Sequence, residues 1–137
     1  RYLPHIVETS GGVDRTFLFL LIDAYTEENN RIFLKLNPII APYQVAVFPL
    51  VKNKPELVDK AREIYKNLRK TDLRINWDDR GNIGKRYLAQ DEIGTPWCVT
   101  VDYQTLEDGT VTIRDRDTMA QGRIGIQEIV SSLKERK

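Results

Sequence analysis

Apolar residues are distributed in two different ways along this chain. In the first part they are bunched. Leu3 to Val7 is a short apolar run that reads as a strand, and Gly11-Gly12 punctuates a turn. Asp14 is a fair N-cap for a helix through Tyr25. The apolar residues of that helix, Phe17-Leu18-Phe19-Leu20-Leu21-Ile22, are consecutive instead of lying on one face. A helix of this kind is buried on several sides, so it is expected to be a core element of a larger domain. Residues 26–43 are polar and then punctuated by proline, at Asn37-Pro38 and Ala41-Pro42, and read as a linker.

Beyond the linker the pattern becomes periodic. Gln44–Leu50 is a compact strand. Pro55 opens a helix with Leu57, Val58, Ala61, Ile64, Tyr65 and Leu68 as its apolar stripe. Leu73, Ile75 and Trp77 alternate as a strand, and Asp78-Asp79-Arg80-Gly81 turns the chain. Ile83–Ile93 is a short helix closed by Gly94. Trp97–Val101 is a strand, Glu107-Asp108-Gly109 a hairpin turn and Thr110–Arg116 the returning strand. Ile126–Leu133 is the last helix. The order β-α-β-α-β-β-α predicts a mixed sheet with helices packed on it, an α/β fold.

Composition narrows the function. The 137 residues carry a net charge of +1, so bulk attraction does not hold nucleic acid here. RNA binding would need local clusters of Lys and Arg and specific hydrogen bonds. The single cysteine, Cys98, excludes an internal disulfide and a thiolate zinc site, and His5 is the only histidine; no metal site is expected. This fits a reducing, cytoplasmic setting. No apolar run approaches the roughly 20 residues that span a bilayer, so no membrane association is expected.

Three constellations can carry chemistry. In Glu8-Thr9-Ser10-Gly11-Gly12-Val13-Asp14-Arg15, two glycines let backbone approach a ligand, a carboxylate and a hydroxyl stand two apart, and Arg15 can meet a phosphate at a helix start. The same residues also make an ordinary capped turn. In the stretch from Gly84 to Trp97, Lys85 and Arg86 with Tyr87 and Trp97 can bind RNA through phosphates and base stacking; equally, they form a solvated basic turn over core aromatics. In Arg114-Asp115-Arg116-Asp117, strand alternation puts the arginines on one face and the aspartates on the other. Such a row can read base edges, arginine donating in pairs and aspartate accepting from an exocyclic amine. The alternative is a self-neutralising surface ladder. The segment after the Gln44–Leu50 strand, Val51-Lys52-Asn53-Lys54, lacks the glycines of a dinucleotide-binding turn.

In this order the segments resemble glycyl-tRNA synthetases of the dimeric class II type. Glu8–Arg15 is similar to their motif 3, and Leu36–Leu50 to the entry of their anticodon-binding domain. Ile83–Asp102 and Leu106–Met119 are similar to the body of that domain. Thr9 stands where the family usually has proline, and Asn37 where it often has histidine.

The resemblance implies that residues 1–36 are the end of a catalytic domain with its linker, and that residues 37–137 form an anticodon-binding domain of five mixed strands and three helices. It implies a parent that activates glycine with ATP and Mg2+, passes it to tRNA(Gly) and works as a homodimer. Glu8, Thr9, Ser10, Gly11 and Gly12 would hold glycine, and Gly12, Val13, Asp14 and Arg15 would contact ATP, with Arg15 the catalytic arginine. The expected anticodon contacts are Arg114, Asp115, Arg116 and Asp117, supported by Lys85, Arg86 and Gln90. Motifs 1 and 2 are absent from this sequence, so it is not expected to activate glycine alone or to hold a cofactor. A non-catalytic nucleic-acid-binding module of the same fold, such as a polymerase accessory subunit, is the competing reading.

Overall fold

The computed structural model describes residues 2–28 and 30–135. Arg1, Asn29, Arg136 and Lys137 lie outside the described residues, and with them the outer limits of the two expected segments.

Residues 2–12 have no regular structure, so the strand expected at Leu3–Val7 does not form. A strand needs a neighbour to take its amides and carbonyls, and no described strand lies alongside. Helix α1 (Val13–Ala24) starts two residues earlier than expected: Gly12 is the N-cap and Asp14 sits in the first turn. Its bunched apolar side chains face outward. Phe17 and Phe19 are each 61 % exposed, and only Ala24 is buried.

The expected linker contains a hairpin, β1 (Tyr25–Glu28) and β2 (Arg31–Leu34), paired antiparallel from Tyr25 opposite Leu34 to Glu28 opposite Arg31. Asn30 takes the left-handed conformation at φ 61° that such a tight reversal demands. The polar sequence of β1 concealed it.

The main sheet begins with β3 (Val45–Pro49), all five residues of which are buried. Such a continuous apolar run suits a central strand covered on both faces. Helix α2 (Pro55–Leu68) carries proline in its first turn and buries Leu57, Ala61, Ile64 and Leu68. After β4 (Ile75–Trp77) comes α3 (Ile83–Ile93). There the Asn82 side chain caps the Lys85 amide at 2.9 Å, and Gly94 ends the helix at φ 86°.

Strand β5 (Trp97–Val101) is followed by a short helix, α4 (Tyr103–Asp108), capped by Asp102 and Thr105 reciprocally. The hairpin turn expected at Glu107–Gly109 is therefore the end of α4, with Gly109 its left-handed C-cap. Strands β6 (Thr110–Asp115) and β7 (Gln121–Gly125) complete the sheet, and the chain enters α5 (Ile129–Glu135) through a 3-10 turn at Ile126–Glu128.

The strand order is β4-β3-β5-β6-β7. The first three strands are parallel, and β5, β6 and β7 run antiparallel. This is the mixed five-stranded sheet that the family resemblance implied; the sequence pattern by itself predicted a mixed sheet without β7.

Alternation divides the sheet into two faces. Val45, Val47, Trp97, Val99, Val101, Val111 and Ile113 pack with Leu57 and Ile64 of α2 and with Ile129 and Leu133 of α5. Each large side chain buried there stabilises the fold by about 1.5–3 kcal/mol. The opposite face, Ala46, Phe48 and Cys98, receives Ile83 and Tyr87 of α3. One helix, α3, packs on this second face and is bonded as far as β6 through Asp91 and Arg114.

Candidate nucleic-acid interface

The expected row of anticodon contacts lies mostly inside the protein. Arg86, Gln90, Arg114 and Arg116 are 2 %, 1 %, 6 % and 3 % exposed. Alternation directs Arg114 to the face of β6 that meets α3. Its two terminal nitrogens donate to the two oxygens of Asp91 at 2.9 and 3.1 Å, and its guanidinium lies 4.8 Å from the Tyr87 ring centre. Arg116 lies past the end of β6 and donates to the carbonyls of Leu36 and Gly94 at 3.0 and 2.7 Å, and to Asp117 at 2.7 Å.

Arg86 donates to the carbonyls of Arg80 and Gly81 at 3.0 and 2.9 Å, and to that of Pro49. Gln90 accepts from the Thr95 hydroxyl at 2.7 Å. These groups are held inside because buried carbonyls and carboxylates need donors. Their bonds serve the fold, which corrects the expectation that they face RNA directly. Asp115 is half-buried and accepts from the Thr118 amide at 2.9 Å, whereas Asp117 and Lys85 are exposed.

The Glu8–Arg15 stretch is exposed, and the structure does not bring Glu8, Ser10 and Arg15 around a common hollow. Thr9 and Gly11 share that exposed segment. Gly12 caps α1 through backbone alone, accepting from Thr16 Oγ1 at 3.0 Å. No side chain caps the amides that follow Gly12, at Val13, Asp14 and Arg15.

A different constellation is open. Beside α3, at the carboxyl ends of the parallel strands β3 and β5, a crevice of about 270 Å³ is lined by Leu50, Ile83, Tyr87, Thr100, Asp102, Thr112 and Gln121. Open α/β sheets place ligands at this end of their strands. Thr112, paired across strands with Arg123 of β7, faces this crevice, whereas α3 holds β6 further along, through Asp91 and Arg114.

Its polar groups are preorganised. The Tyr87 hydroxyl lies 2.6 Å from Thr100 Oγ1. Burial pushes the Tyr87 pKa up against that hydrogen bond, so the phenol keeps its proton. Arg123 donates to Asp102 with both terminal nitrogens, at 2.7 and 3.1 Å, and to Thr110 Oγ1 at 2.9 Å. The Arg123 guanidinium holds the Asp102 carboxyl below the usual carboxylate range, with the Thr105 amide in support and burial acting against them. Gln121 is exposed, and Lys85 projects from the first turn of α3, the turn that also supplies Ile83. The crevice therefore offers hydroxyls, a carboxylate and an amide beside an exposed cation, with an apolar wall from Leu50 and Ile83.

Sequence reasoning missed Asp102, Thr112, Gln121 and Arg123. The one available signal was Asp102 three residues ahead of Thr105, a helix-capping spacing. Gln121-Gly122-Arg123-Ile124-Gly125 gave none, because two glycines in five residues read as loop.

Comparison with known proteins accounts for this architecture. A glycine–tRNA ligase of Borreliella afzelii is 55 % identical to it, over 98 % of this chain and 31 % of the relative. One from Clostridium tetani is 49 % identical, over 99 % of the chain and 30 % of the relative. One from Pyrococcus furiosus is 52 % identical, over 98 % and 24 %. The chain thus spans less than a third of the length of these relatives. The family model described as an anticodon binding domain matches residues 44–136, from the start of β3 through α5. With its mixed sheet, its helices on both faces and that match, the chain belongs to the anticodon-binding domain family.

Proposed function

We propose that this chain is the tRNA-reading part of a glycine–tRNA ligase, and that the open crevice receives anticodon bases of tRNA(Gly). The observation that carries this reading is the crevice itself: it is an open, largely polar hollow beside α3, on a sheet whose family binds anticodons. Bases released from stacking can be read by fixed donors and acceptors. Gln121 offers an amide able to pair with a base edge, and Thr112 a hydroxyl. Lys85 supplies charge to the neighbouring phosphates. The buried arginines serve the same end indirectly, by fixing the strand and helix that form the crevice.

The division of labour follows the same reading. Residues 37–137 recognise RNA, and residues 1–36 belong with the part of the parent that activates glycine with ATP and Mg2+. The start of α1, whose first amides no side chain caps and whose first turn carries Arg15, suits a phosphate group. Glu8 and Ser10 would hold glycine once the rest of that part surrounds them, and the parent would act as a homodimer in the cytoplasm. The ligase names carried by the relatives support this reading over a non-catalytic module of the same fold.

The test is Gln121→Ala and Lys85→Ala in the full-length ligase, with charging measured on tRNA(Gly) and on anticodon variants. Gln121→Ala should lower kcat/KM about tenfold on the normal tRNA and narrow its advantage over the variants. Lys85→Ala should weaken all of them alike and reduce the salt slope of binding by about 1. Unchanged discrimination in Gln121→Ala would remove the crevice from anticodon reading.

A further inference from the structure

The matched domain begins at Gln44, yet the chain before it is bound to that domain by buried charge. On β2, Arg31 Nε donates to Asp91 Oδ2 at 3.0 Å, and Arg31 Nη2 to the carbonyl of Arg116. The same Asp91 carboxylate takes both bonds from Arg114, so one buried anion on α3 joins a cation from the hairpin to a cation from β6. Phe33, two residues along β2, is fully buried with the Arg31 guanidinium 4.1 Å from its ring centre. Further along, Arg116 holds the Leu36 carbonyl, and Arg74 donates to the carbonyls of Ile39 at 2.8 Å and Ala41 at 3.0 Å. Helix α1 is tied to the same unit: the Lys35 amide donates to the Ala24 carbonyl at 2.7 Å, and Ala24 packs with Leu36 and Ala41.

We propose that Arg31, Asp91 and Arg114 form a positioning lock that sets the angle between the α1–β1–β2 unit and the RNA-reading sheet. This rests on the ligase reading above. Charged, paired hydrogen bonds between guanidinium and carboxylate fix direction as well as distance. A ligase needs a fixed angle because one tRNA must engage the sheet and the aminoacylation site together. A hinge at the Pro-punctuated segment would spread the acceptor end over many positions and lower its effective concentration at the reacting group. Arg31, Asp91 and Arg114 touch no substrate in this scheme; they act through geometry.

Arg31 is the informative residue to change, because its loss leaves the Asp91–Arg114 pair intact within the matched domain. In the full-length ligase, Arg31→Gln should leave glycine-dependent ATP–pyrophosphate exchange unchanged and lower kcat/KM for tRNA charging about tenfold. Amide hydrogen exchange should quicken in residues 25–36 and stay unchanged in β3, β5 and β6. Arg31→Lys should restore part of the charging.

Hairpin amides no faster in Arg31→Gln than in the parent would overturn the lock, as would faster amides with undiminished charging. Equal loss of pyrophosphate exchange and charging would also overturn it, by showing general damage. An unaltered parent without glycine-dependent exchange would instead refute the ligase reading, and the hydrogen-exchange measurement would still decide whether the lock holds the hairpin.

Discussion

Gly94 packs so closely against Leu36 that a side chain in place of the glycine would force its neighbours to shift. A β-carbon on Gly94 would stand 2.8 Å from Leu36 Cδ1 and 2.9 Å from the Leu34 carbonyl oxygen, at a φ of 86° that side chains rarely accept. The end of α3 and the segment that runs from the end of β2 to Leu36 thus share one backbone-sized space. Gly94→Ala should cost about 2–4 kcal/mol, the left-handed penalty plus the overlap. Gly109, at φ 68°, has nothing within 4 Å of the same position. Gly109→Ala should cost only about 1–2 kcal/mol. Urea unfolding of the two variants side by side separates strain from collision.

Arg116 should behave as a structural clamp. Arg116→Met leaves the carbonyls of Leu36 and Gly94 without their donor in a buried place. The expected loss is about 1–3 kcal/mol, read from the midpoint of chemical unfolding. A variant as stable as the parent would mean that water takes over both carbonyls.

Acid should weaken the pair that borders the crevice. The Asp102 carboxyl is held below its ordinary range chiefly by Arg123. A lowered folded value contributes stability that is complete above the unfolded pKa, about 3.9, and disappears as pH falls through the folded one. Asp102→Asn should therefore be less stable than the parent by about 1–2 kcal/mol at neutral pH. The gap should begin to close only below about pH 4. Thermal or urea unfolding of both proteins from pH 7 down to pH 2.5 measures it, and a gap independent of pH would point to shape instead of charge.

Cys98 should be inert while the protein is folded. Its side chain is 1 % exposed, and burial pushes its thiol up to about 12 despite the nearby Arg114 charge. Since the thiolate is the reacting form, iodoacetamide at pH 8 should modify Cys98 only on unfolding. Mass spectrometry with and without urea checks this.

The parts of the fold that could be read from sequence are those where a single period dominates. The Leu57–Leu68 stripe of α2, the α3 limits at Ile83 and Gly94, and the compact, largely apolar stretches of β3 and β5 each match the structure closely. Strand β1, Tyr25-Thr26-Glu27-Glu28, stayed hidden because its pairing with β2 needs no apolar face. Strand β7 stayed hidden because an exposed outer strand tolerates glycine.

The site was harder to read for a different reason. Alternation correctly separated Arg114 from Asp115, but it does not tell which face a distant helix will cover. The partner that decides the matter, Asp91, lies on α3, and a carboxylate in a polar helical stretch looks like any surface acid. Pairing across elements converted an apparent reading head into an internal brace, and it left Gln121 and Thr112, which carry no motif, at the open crevice.

The strand directions have a consequence for how the chain folds. Strands β5, β6 and β7 follow one another closely and pair with their sequence neighbours, so they can form early and locally. Strand β3 must wait, because Val45 lies opposite both Ile75 and Trp97, each reached only by closing a long crossover. Until both crossovers close, its five wholly apolar residues keep at least one bare edge, the arrangement through which unfinished chains recruit one another. The interval before β3 is enclosed is therefore when this protein is most vulnerable to aggregation during synthesis.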